Sequence, residues 1–276
     1  MRFVKVLNKD LCPPIQGGKP YKIGVWNHCE NFNMQDKECA PGFYVIPIRE
    51  LIRYHKPCFG TKVLPAEVRG KSKIFSPAKQ RYEYIKLGNP LSDEEIKKLC
   101  KEIEPEIGYK LSEALYSVNP LLLPKAVVTD ADIKLLRQWD ITWDSIMPSV
   151  WISVMDSVRN ILGYSTWNSV RDSIMNSIWD SVRESVRYNV SLRDKDSVWD
   201  ALHAYIGGLF HEIEKWKYID HKSGVYPFQS VVDLWYRGLV PVYHRRKWKL
   251  LSGKKAEIVW TEPKVGWLRS QEEEGE

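Results

Sequence analysis

Between Trp143 and Val190 a four-residue unit of the form Ser-Val/Ile-x-Asp/Asn recurs, and its third position repeatedly carries a large side chain. Trp151, Arg159, Arg171, Trp179, Arg183 and Arg187 occupy that position. Guanidinium groups could stack on these indoles as a ladder or bind phosphates, and core and interface packing is the simpler reading of the same residues. A second cationic set, Arg245, Arg246 and Lys247, stands in a basic run at 244–249, where it would attract polyanions. These nine residues are the candidate binding residues.

Other chemistry is thinner. His28, Cys29, Cys39 and Cys58 offer zinc-type donors, but none of the cysteines forms a Cys-x-x-Cys pair, so no metal is predicted. Six scattered histidines and many serines give no nucleophile with a base beside it, and no catalytic residue is assigned. Gly17-Gly18 and Gly207-Gly208 lack the spacing and the following Lys-Ser/Thr of a phosphate loop, so no cofactor is predicted.

The elements that must position these groups follow from breakers and caps. Short strands are predicted at 3–7, 21–25, 42–46 and 62–68, with a short helix at 48–54, because Gly and Pro border the apolar runs. Ser92-Asp93-Glu94-Glu95 caps a helix that should stop near Pro105, another spans 111–116, and Thr129-Asp130-Ala131-Asp132 opens one that leads into the repeats. Beyond the repeats, 197–206 reads as a helix, 231–235 as another, and the remainder as a small hairpin turning at 252–255.

A period of four suits neither regular structure. Each step advances an α-helix by about 400°, so an apolar stripe creeps by about 40° per repeat. A strand would instead put Val with Asp on one face and Ser with Trp or Arg on the other. Helices with a winding stripe, covered by more than one neighbour, are the main expectation, and a β-solenoid with a corner in each repeat is the alternative. A stripe left uncovered would drive self-association.

The fold class is therefore α+β, divided into an N-terminal α+β domain (1–90), a helical connector (91–138), the repeat region (139–211), a C-terminal α+β cap (212–270) and an acidic tail (271–276). The net charge of +6 is uneven, since residues 1–90 hold sixteen Lys/Arg against seven Asp/Glu. Nucleic acid is thus a possible partner beside proteins. Neither a secretory leader nor a membrane span is predicted, and five unpatterned cysteines fit reduced thiols, so a cytoplasmic location is expected.

The segments at 179–186, 204–210, 215–219, 226–229 and 233–241 resemble uncharacterised repeat proteins common in phages and metagenomes, some of which carry an N-terminal domain similar to 21–24, 39–45 and 66–70. That resemblance implies a viral or mobile-element context and names no activity. The order of strand, Gly-Phe turn, short helix and a strand ending in Ala66-Glu67-Val68 is also similar to ADP-ribosyltransferase folds, which grip NAD between two sheets, although a Ser-Thr-Ser segment is missing. Three roles follow: a non-enzymatic interaction or structural protein with the repeats as scaffold, an ADP-ribosyltransferase-like nucleotide binder or transferase, and a nucleic-acid binder.

Overall fold

The computed structural model describes residues 3–13, 19–35, 40–76, 79–146, 149–187 and 195–263. The acidic tail, Cys39 and Val190 lie outside the described residues, as does the side chain of Arg187. The chain divides into two units, Met1–Tyr116 and Ser117–Glu276. The segment read as a connector, 91–138, is therefore split between them at residue 116.

In the first unit five antiparallel strands are β1 (Phe3–Leu7), β2 (Trp26–His28), β3 (Phe43–Pro47), β4 (Lys62–Ser76) and β5 (Lys79–Leu87). β1 pairs with β3 and β4, β4 pairs with β5, and β5 returns to β3, so four strands close on themselves; β2 lies beside β5 past the end of β3. Closure leaves few unpaired edges. Inward residues Leu7, Val45, Leu64, Ile85 and Leu87 form the core.

Two expectations change here. Only Ile23 of the segment 21–25 bridges to the sheet, and the strand begins at Trp26. The fourth strand runs on to Ser76 and is joined by β5, which the apolar pattern had not revealed. Their shared stretch carries Gly70, Lys71 and Lys73 at exposed or half-exposed positions, so it lacks the buried face that makes alternation visible.

Helix α1 (Leu51–Tyr54) follows a 3-10 turn, and α2 (Asp93–Ile107) starts at a full capping box between Ser92 and Glu95. It passes Pro105 and stops at Gly108, whose φ of 76° suits the left-handed cap. Because Pro105 lies in the last turn, its missing N–H removes a single ladder bond and the helix survives. A short α3 (Leu111–Leu115) ends the unit.

The second unit contains α4 (Asp130–Ser145), α5 (Val150–Leu162), α6 (Tyr164–Ile174), α7 (Asp180–Arg187), α8 (Lys195–Gly207) and α9 (Gln229–Tyr236). It closes with a three-stranded meander of β6 (Val240–His244), β7 (Lys247–Ser252) and β8 (Glu257–Thr261), one strand more than the predicted hairpin. Helix α8 packs against α5, α6, α9 and β6.

Among the described residues of 139–211 there is no strand. Every described repeat Val or Ile from Val150 onward is buried: Val150, Val154, Val158, Val170, Ile174, Ile178, Val182 and Val186 are at most 5% exposed. Two breaks keep the creeping stripe aimed inward. At Gly163 the chain leaves the helix at φ 83° and restarts as α6. Between α6 and α7, Met175–Trp179 is a π turn. A π turn holds more residues than an α turn, so a step of four falls short of a full circle there and winds the stripe back.

The repeat serines have a separate use. One α-helical turn apart on α5, Ser153 Oγ donates to the Lys217 carbonyl at 2.5 Å and Ser157 Oγ accepts from the Lys217 N–H at 3.0 Å. The pair satisfies both backbone groups of one residue in an irregular segment that crosses the helix. Ser185 likewise donates to the Lys254 carbonyl at 3.3 Å.

Candidate functional site

Side chains on a strand alternate between faces, and Ile85 and Val68 point into the core of the first unit. Their neighbours therefore point out. Across β4, β5 and β2 the register aligns Arg69 with Tyr84 and His28, and Glu67 with Lys86 and Trp26. The outcome is a platform of aromatic and cationic groups on three adjacent strands.

The contacts within it are close. The Arg69 guanidinium carbon lies 4.1 Å from the Trp26 ring centre and 5.1 Å from that of Tyr84. His28 stacks on Tyr84 with centroids 4.4 Å apart and planes 10° from parallel. Next to Arg69, Gly70 has φ 80°, and a Cβ there would meet Tyr84 Cδ2 at 2.8 Å and Glu83 Oε2 at 2.7 Å. Glycine is thus needed both for the backbone and for the approach of Tyr84. Glu67 pairs with Lys86 at 3.3 Å.

Beside the platform an open recess of about 480 Å³ is lined by Lys19, Tyr21, Lys22, Trp26, His28 and Phe43 among others. Behind Tyr21, the buried Lys5 amine donates to the Tyr44 carbonyl at 2.6 Å and lies 5.2 Å from the Tyr21 ring centre. Burial, helped by Lys79, pulls its pKa down to about 8.

Apart from His28, weighed there only as a zinc-type donor, the platform residues Trp26, Arg69 and Tyr84 do not stand out in the sequence. The usable signal was the alternating Tyr82 and Tyr84 followed by Ile85 and the breakers Gly88, Asn89 and Pro90, which marks a strand end.

Another polar cluster in this unit is structural. His55, 1% exposed, contacts Thr61 Oγ1 at 2.9 Å and Tyr116 Oη at 3.2 Å, and Tyr116 donates to Asp93 at 2.8 Å. The Thr61 hydroxyl donates to the Lys56 carbonyl at 3.1 Å, so its proton already has an acceptor. The chain of contacts ties the end of α1 to the starts of β4 and α2.

The residues predicted as a ladder do not come together as one. Trp151 packs edge-on to His203 at 6.4 Å, and Trp179 packs edge-on to Trp199 at 4.9 Å. Arg159 lies 4.7 Å over the Tyr164 ring, Arg171 pairs with Asp172 at 2.7 Å, and Arg183 lies 3.7 Å from Glu184. Arg245, Arg246 and Lys247 are together at the β6–β7 turn. Of the imagined metal donors, His28 belongs to the platform, the Cys29 thiol is pushed up by burial, and the Cys58 side chain lies outside the described residues. No group of three metal donors occurs among the described residues.

His203 is fully buried, with Trp151, Trp167 and Trp199 around it. Its Nδ1 contacts the Trp199 carbonyl at 2.8 Å, an acceptor only, so the ring carries its proton on Nδ1. Burial pulls its pKa down to about 4. An unfolded histidine binds a proton near pH 6.5, so between about 6.5 and 4 the unfolded state holds more protons and the second unit is expected to lose stability as pH falls. Urea midpoints followed by tryptophan fluorescence would check this, since every tryptophan except Trp26 lies in the second unit. His203→Phe is expected to flatten that part of the profile.

No family model, curated protein or solved structure matches this chain.

Proposed function

We propose that this protein binds single-stranded nucleic acid on the outer face of β2, β4 and β5. The observation that carries the reading is the interleaving of Trp26, Arg69, Tyr84 and His28 at stacking distances on one solvent-facing surface. Single strands are held by flat side chains on which bases stack and by cations that follow the backbone, and this face supplies both. Lys19 and Lys22 at the recess and Lys71 on β4 are exposed and extend the positive surface. Trp26, 36% exposed, is accessible to a base.

Fluorescence anisotropy with a labelled oligonucleotide of mixed sequence tests the reading. Binding is expected at low salt, with an affinity that falls linearly in log–log form as salt rises. Trp26→Ala is expected to weaken it by about 1–3 kcal/mol, a five- to 150-fold loss, at unchanged thermal stability. Absence of binding at 50 mM salt, or full binding by a Trp26→Ala, Tyr84→Ala variant, would reject the proposal.

A second reading keeps the repeats as a scaffold in a non-enzymatic interaction protein of viral or mobile-element origin. What favours it is the division of labour along the helices: the described Val and Ile of the repeat from Val150 onward are buried, whereas Arg159 and Arg183 are exposed at the surface.

A further inference from the structure

The turn between β6 and β7 is built from residues that make it harder to form. His244 pairs with Lys247, which leaves Arg245 and Arg246 as a two-residue loop, and both have positive φ, 51° and 62°. Two left-handed residues in a two-residue hairpin make a type I′ turn, for which Asn-Gly is the favoured pair. A long side chain with a Cβ is disfavoured in that conformation at each position.

Arginine at both sites also concentrates charge at one point. Arg245 and Arg246 are exposed, and among the described residues neither has an acidic partner. Lys247 and Lys249 follow on β7, half-exposed, and the Lys247 amine donates to the Glu262 carbonyl at 3.4 Å. The Glu262 carboxylate accepts from the Trp248 N–H at 2.9 Å. The base of the hairpin is rigid: Val240, Val242, Trp248 and Leu250 are fully buried, and Trp248 Nε1 donates to Asp140 at 2.6 Å. A strained cationic tip on a fixed support fits a phosphate clamp, since each guanidinium can hold two phosphate oxygens.

We infer that Arg245 and Arg246 form a second contact for nucleic acid in this protein, gripping the phosphate backbone without reading bases. The inference rests on nucleic acid being the ligand, as proposed above, but its residues and its test are separate from those of the platform.

The test exploits the conflict between turn preference and charge. An Arg245→Asn, Arg246→Gly double variant installs the favoured pair and removes both charges. Its melting temperature is expected to rise by about 2–4 °C or more, while affinity for the same labelled oligonucleotide drops roughly tenfold or more at 0.1 M salt and the log–log salt slope shrinks by ~1.4, two single-strand phosphate contacts. A gain in stability with unchanged affinity and slope would overturn the clamp and leave the platform standing. Loss of binding in this variant, with full binding by the platform variants, would reject the platform and keep the clamp. Because the variant is expected to be more stable than the parent, weaker binding cannot come from unfolding, and a lower melting temperature would overturn the claim that the turn is strained.

Discussion

Gly207→Ala is expected to destabilise the second unit by about 3 kcal/mol, lowering its melting temperature by roughly 6–12 °C. A Cβ at this position would fall 2.3 Å from Tyr226 Oη and 3.0 Å from Val154 Cγ2. The tyrosine cannot swing aside easily, because its hydroxyl donates to the Ala204 carbonyl at 2.5 Å and its ring meets Trp216 and Phe228 edge-on at 4.8 and 5.5 Å. Adding Tyr226→Phe removes the clashing oxygen, so the double variant is expected to be more stable than Gly207→Ala alone although Tyr226→Phe by itself forfeits a hydrogen bond of about 1 kcal/mol. Gly208→Ala, whose Cβ would have no neighbour closer than 3.4 Å, is the comparison and should lose far less. Similar losses at both glycines, measured by urea titration, would contradict this account. Gly207, one half of a Gly-Gly pair that lacks the spacing of a phosphate loop, is explained by the room one tyrosine needs.

The second large effect is expected at Arg237. Its guanidinium forms a two-pronged pair with Asp132, Nε facing Oδ1 and Nη2 donating to Oδ2 at 3.1 Å, and Asp132 is fully buried at the first turn of α4. The same carboxylate caps the helix by accepting from the Thr129 N–H at 2.8 Å and hydroxyl at 2.7 Å. Arg237→Ala would leave a buried negative charge with only those two donors, a loss of about 3 kcal/mol, at the low end for a broken buried pair because Arg237 itself is half exposed. Asp132→Asn in that background removes the charge while keeping a capping oxygen, and should recover a substantial part. If Asp132→Asn instead deepens the loss, the pair contributes through packing and its charge is immaterial.

Local signals in the chain carried the elements that chemistry forces. The boxes at Ser92 and Thr129 began α2 and α4 where the spacing of cap and acid placed them. The drift of a four-residue period was also visible, together with the slip at 161–164 that ends α5. The π turn was not, because Met175-Asn176-Ser177-Ile178-Trp179 continues the pattern without a breaker and differs only in its hydrogen bonding. The platform was hidden for another reason: Trp26, Arg69 and Tyr84 are far apart along the chain and meet only through strand register. The basic hairpin, contiguous in sequence, was legible as a charge run, but its left-handed backbone was not.

The inward aim of the valines has a bearing on how such a chain can change length. Copying one tetrapeptide within α5 or α7 would preserve every helical hydrogen bond yet rotate everything downstream by about 40°. A second copy would carry the newest valine toward water. Insertions by single units are therefore penalised in orientation even though they are harmless to the backbone, and growth is tolerable only when each few added units come with another interruption like Gly163 or the widened turn at 175–179.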